Sequence, residues 1–136
     1  MSDFYFVDTN IIIRLLTGDD PVQSHTLSDV IRKRKLRMFV PSIVLIETYW
    51  VLKSVYKYPK ERIVHALVAF MNADEVVLEE PELLSRTLEM FATVNVGFID
   101  VYLAMKANQY QLPVVTWNTK DFKRLEVEFF SPDQLE

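Results

Sequence analysis

Short β-rich runs alternate along this chain with longer apolar or amphipathic runs bounded by capping residues. "FYFV" at 4–7 is aromatic and β-branched, which suits a strand. "DTN" then supplies cap-type residues ahead of "IIIRLL", a helix opening. "TGDDP" breaks that helix, and Asp20-Pro21 opens a second one, expected to run to about Lys35. "LRMFVP" reads as another strand. "PSIVLIETYWVLKSVY" begins with Pro41 and Ser42, both tolerated in a first turn. It is apolar nearly all round, the mark of a well-buried helix.

The alternation continues to the end of the chain. "PKERIVHALVAFMN" predicts a helix, "EVVLEE" a short strand or extended connection, and "PELLSRTLEMFATV" a helix opened by Pro81. "FIDVYLAMKANQYQ" predicts a further helix, "LPVVTW" a strand, "TKDFKRL" a short helix and "VEFFSP" a last strand. Strands alternating with helices predict an α/β fold with a mostly parallel sheet and helices on both faces. No repeat, linker or low-complexity segment interrupts it, so residues 1–136 are expected to form a single domain.

Four acids interrupt this pattern where an open parallel sheet binds ligands, beyond the carboxyl ends of its strands. Asp8 follows the first strand. Asn118 and Asp121 follow "LPVVTW". Glu47 lies about two turns into an otherwise greasy helix, and Asp100 falls in the first turn of "FIDVYLAMKA". Each has an ordinary explanation when taken alone. Asp8 would cap a helix, Asp100 would complement a helix dipole, and Glu47 would face water or pair with a base. Gathered together they would repel one another, and only a cation makes such a cluster tolerable. Oxygen ligands without Cys or His suit Mg²⁺ or Mn²⁺.

Composition narrows the alternatives. With 136 residues, half of them hydrophobic, the chain is long enough for a proper core. It has no cysteine, which excludes disulfides and thiolate metal sites. The only glycines are Gly18 and Gly97, so there is no P-loop or dinucleotide fingerprint. No signal-peptide pattern opens the chain and no apolar run is long enough to span a bilayer, so a cytoplasmic protein is expected. Fifteen Lys and Arg against nineteen Asp and Glu give a net charge of −4, which argues against a protein that coats nucleic acid generally. The bases are nonetheless grouped. "RKRKLR" at 32–37 carries five in six residues, and Lys53, Lys57, Lys60 and Arg62 form a second group. A solvated helix end is the better explanation of Arg32 to Lys35 taken alone. His25 and His65 carry no cue that links them to the acids.

"FVDTNIIIRLLTGDDP", Glu47 in "PSIVLIETYWVL", "FIDVYLAMKA" and "LPVVTWNTKDF" together resemble the PIN domain, in particular the VapC toxins of toxin–antitoxin pairs. The resemblance covers essentially the whole chain, with four motifs in order. It implies a three-layer α/β/α sandwich and an endoribonuclease dependent on Mg²⁺ or Mn²⁺. Asp8, Glu47 and Asp100 match the family's acidic triad, and these three are the expected metal ligands. Asn118 matches a position that is Asp in some members and Asn in many toxins, and Asp121 matches the acid just beyond it. Thr9 and Asn10 match the polar pair that supports the first Asp, and Thr116 a polar residue near the site. The family also implies a homodimer and a small antitoxin partner.

A metal held by such acids would activate water for in-line attack on phosphorus, leaving a 5′-phosphate and a 3′-hydroxyl as the resemblance implies. An acidic pocket repels phosphate, so a basic rim is needed, with Lys53, Lys57 and Lys60 the first candidates. Tyr49, Trp50 and Trp117 are candidates to stack bases, or, for the first two, to pack in the core or a dimer. Two other readings compete: a catalytically silent PIN-like scaffold that binds RNA or protein, and a metal-dependent phosphatase.

Overall fold

The computed structural model describes residues 4–136, so the first three residues of the expected domain span lie outside the described residues. The chain divides into two units, one ending at Pro81 and the other spanning Glu82–Glu136.

In the first unit, strands β1 (Phe4–Phe6), β2 (Arg37–Val40) and β3 (Val76–Leu78) pair in the order β1-β2-β3, all parallel. Phe4 lies opposite Arg37, and Met38 opposite Val76. Parallel neighbours need long crossovers. Helices α1 (Thr9–Thr17) and α2 (Pro21–Arg32) make the first, and α3 (Ser42–Ser54) and α4 (Lys60–Met71) the second. α1 packs on both α2 and α3, and α4 packs on α3 and β3. Ile12, Met38, Val40, Leu45, Leu52 and Leu67 are fully enclosed, each stabilising the fold by about 1.5–3 kcal/mol through its apolar area. The parallel register gives the sheet two distinct edges. Strand starts lie at one edge, while the strand ends that lead into α1 and α3 lie at the other.

Capping residues set the helix limits. α1 stops at Gly18, whose φ of 63° is left-handed and whose N–H reaches the Arg14 carbonyl at 3.1 Å. Asp20 caps α2 by accepting from the Gln23 N–H at 3.1 Å. α2 ends at Arg32, three residues short of the expected limit. Arg34 turns left-handed at φ 59° while the N–H of Lys35 closes back on the Val30 carbonyl at 2.9 Å. That closure satisfies the last carbonyls and stops the helix.

The second unit takes α5 (Pro81–Thr93) from its second residue onward, followed by α6 (Phe98–Tyr110), β4 (Val114–Val115), α7 (Thr119–Phe122) and β5 (Phe129–Phe130). A 3₁₀ turn over Pro132–Leu135 ends the chain. β4 and β5 pair in parallel. The core gathers Leu84, Leu88, Phe91, Phe98, Val101 and Phe122. Phe91 meets Phe98 edge to face at 5.4 Å, the arrangement the ring quadrupoles favour. The α/β class and the parallel strand pairing are those expected from the sequence.

Candidate active site

In the first unit, Asp8 occupies the N-cap position of α1, yet its side chain makes no capping hydrogen bond. It is exposed and accepts from the Asn10 amide at 3.5 Å. The ordinary explanation for an acid here, helix capping, is therefore absent. Glu47 is exposed on α3, although most of its neighbours on that helix are apolar. The Thr9 hydroxyl at the start of α1 donates to its carboxylate across 38 positions of sequence. Asp8, Thr9, Asn10 and Glu47 line one open cleft of about 370 Å³, together with α1 and α3 side chains that include Arg14 and Val51.

In the second unit, Asn118 organises the acids. Its side-chain amide donates to Asp121 at 2.9 Å and to Asp100 at 3.4 Å. Its carbonyl oxygen accepts from the Asp121 N–H at 3.4 Å, capping α7. The Asn118 N–H is itself held by the Thr116 hydroxyl at 2.9 Å. Asp100 lies in the first turn of α6, whose N-cap is Gly97. Four of the expected site residues in this unit thus form one connected network.

Both groups share a chemical character. Among the described residues, no Lys or Arg forms an ion pair with Asp8, Glu47, Asp100 or Asp121. Their partners are neutral hydroxyls and amides, which hold carboxylate oxygens in place without neutralising them and leave lone pairs available. Within neither unit do three or more His, Asp or Glu side chains stand together as a ready-made cation site among the described residues. The donors are all oxygen, the set that Mg²⁺ and Mn²⁺ take. His25 and His65 are exposed on α2 and α4.

The cleft of the first unit also has members that the sequence reading missed. Arg14 lines it, fixed by Gln23 at 2.7 Å and by Asp19 at 3.4 Å. Tyr56 lines it too, and its hydroxyl donates to Asp19. That bond holds the Asp19 carboxyl below its ordinary value; partial desolvation opposes it, and the Thr17 hydroxyl and Arg14 reinforce it. The same bond pushes the Tyr56 phenol up. Arg14 lies one turn after Asn10 on α1, a spacing that marks a shared face. Tyr56 carries no such signal, because 37 positions separate it from Asp19.

The expected basic-rim residues lie at the end of α3, in the loop after it and at the start of α4. Lys53 is exposed on α3 and Lys57 is exposed in the following loop. Lys60 is half-buried at the start of α4, where desolvation pulls its amine below the usual lysine value. Arg62 lies 3.7 Å over the Tyr58 ring. Of the aromatics, Tyr49 is buried, Trp50 is half exposed, and Trp117, next to Asn118, is 75 % exposed.

A VapC ribonuclease of Aquifex aeolicus (strain VF5) is 21 % identical over 129 residues, covering 93 % of this chain and 95 % of the relative. Among solved structures, the Mycobacterium tuberculosis VapC20, a sarcin–ricin loop cleaving toxin, matches with a TM-score of 0.42 and 19 % identity. That match covers 79 % of this chain and 83 % of the other. The Rickettsia felis VapBC2, bound to a DNA fragment from its promoter, matches with a TM-score of 0.39 and 21 % identity, over 94 % of this chain and 98 % of the other. The sequence profile of the PIN domain matches residues 5–128, across both units, and the chain belongs to the PIN domain family.

Proposed function

We propose that this chain is an endoribonuclease dependent on Mg²⁺ or Mn²⁺, and the toxin of a toxin–antitoxin pair. One observation carries the reading: four carboxylates, two lining one cleft and two sharing the Asn118 amide, each held by neutral donors and none matched by a base. A helix cap or a structural ion pair would use those carboxylates differently. Family membership and the likeness to a VapC ribonuclease support RNA as the substrate. The motif resemblance supports a small antitoxin, a homodimer and cytoplasmic action. Among the described residues no helix is long and apolar enough to cross a membrane.

In this reading Asp8, Glu47 and Asp100, the residues that match the family's acidic triad, hold the cation. Bound there, the ion supplies positive charge that offsets the attacked phosphate and acidifies water. Asn10 and Thr9 fix the orientation of Asp8 and Glu47. Asn118 sets the spacing of Asp100 and Asp121, and Asp121 takes the proton from the attacking water. Trp117 offers a flat face for a base next to the scissile bond. RNA preference arises from substrate shape and single-strandedness, because this chemistry does not use the 2′-hydroxyl.

The test is incubation of the purified protein with RNA in Mn²⁺, and separately in excess chelator. Cleavage in metal alone, giving 5′-phosphate and 3′-hydroxyl ends, is expected. Equal cleavage in chelator, or 2′,3′-cyclic phosphate ends, would overturn the mechanism.

A further inference from the structure

The first unit carries a second hollow, of about 720 Å³, lined by Ile31, Arg32, Arg34, Leu36, Arg37, Asp74 and Glu75. It lies where β2 and β3 begin, at the edge of the parallel sheet opposite the strand end that carries Asp8. "RKRKLR" supplies its bases, and the structure separates that run into two roles. Arg32 and Lys33 pair with Asp29 at 2.6 and 2.8 Å, as a solvated helix end would. Arg34 and Arg37 do not. Arg34 is exposed on a left-handed residue just past α2, and Arg37 lies 4.2 Å over the Phe4 ring at the start of β1. Neither forms an ion pair among the described residues.

We infer that this hollow is a second RNA-binding site, resting on the ribonuclease reading, in which Arg34 and Arg37 hold phosphates of a strand that extends away from the acids. Guanidinium forks match phosphate oxygens in pairs. Asp74 and Glu75 add acceptors for the exocyclic amines of bases, donors that RNA carries and the side chains of an acidic peptide do not. Ile31 and Leu36 give the hollow an apolar wall. Set apart from the acids within the unit, the site adds affinity without touching the reacting phosphate.

Two variants remove charge at little cost to the fold. Arg34→Asn suits a left-handed backbone, and Arg37→Gln keeps a polar side chain on an exposed strand start. Anisotropy of a fluorescein-labelled twenty-nucleotide single-stranded RNA is read in chelator across a salt series, and cleavage of the same RNA is read in Mn²⁺. Each variant is expected to bind several-fold more weakly, with a salt slope shallower by about one unit, and to raise KM while leaving kcat at the parent value. Parent-like affinity and slope in both variants, with unchanged melting temperatures, would overturn the site. Poly-glutamate binding as tightly as RNA, and lost in the same variants, would overturn the RNA assignment in favour of an acidic protein partner. A parent that binds RNA through Arg34 and Arg37 yet never cleaves it would leave this site standing and overturn the nuclease reading.

Discussion

Asp8 shows how much one residue's chemistry is visible in sequence and where visibility stops. Its position after a strand and before a helix was legible, and so were the two explanations, cap or ligand. Only the structure shows that it occupies the cap position without capping. Substitution by Asn turns this into a test, because Asn caps a helix about as well as Asp. Asp8 shares its cleft with Glu47, and Asp100 shares the Asn118 amide with Asp121. Removing one of two like charges relieves repulsion, so Asp8→Asn and Asp100→Asn should each melt at or above the parent temperature without metal. Each should lose most of its stabilisation by Mn²⁺ and cut kcat by a hundredfold or more, an exchange of stability for function common at catalytic sites. Melting curves with and without metal, beside an RNA cleavage assay, decide it. Full activity in either variant would remove that residue from the site.

At the scale of elements, hydrophobic periodicity and capping residues located α1 to α7, and the misses fall at the closing 3₁₀ turn, at helix ends and at long-range polar contacts. α2 stops early because Arg34 takes a left-handed turn, which its sequence of bases does not announce. The link from Tyr56 beyond α3 to Asp19 beyond α1 joins residues whose proximity depends on the packing of those helices. Its pH dependence follows from the two shifts. Asp19 is lowered by the bond, so its contribution is present above the ordinary carboxylate range and is lost as pH falls through the lowered value. Tyr56 is raised, so its contribution is present below the ordinary phenol range and is lost as pH rises through the raised value. Tyr56→Phe should therefore lower the melting temperature by a few degrees at neutral pH and flatten both the acid and the alkaline limbs of its pH profile. A variant profile parallel to the parent at every pH would show that the bond contributes nothing in solution.

For the whole molecule, length and composition pointed to a single domain, and nothing in "EEPELL" marks a boundary. The division after Pro81 falls within the first turn of α5, where no linker residues signal it. Domain boundaries read from composition need flexible or polar stretches, and a continuous helix crosses this position instead. The family profile nevertheless spans both units. The prediction that follows concerns cooperativity. A cation that binds only the folded state stabilises it by RT ln(1 + [L]/Kd), about 2.7 kcal/mol at a hundredfold excess over Kd. For a chain of this size that is a rise on the order of 10 °C. If the acids of both units hold one ion, the rise belongs to the whole chain. Calorimetry should then show one transition that moves as a unit with Mn²⁺, its calorimetric and van't Hoff enthalpies in agreement. Asp8→Asn in the first unit and Asp100→Asn in the second should abolish the same shift. Two transitions, of which only one moves with metal, would confine the site to a single unit. Sensitivity to only one of the two substitutions would then identify which unit holds the ion.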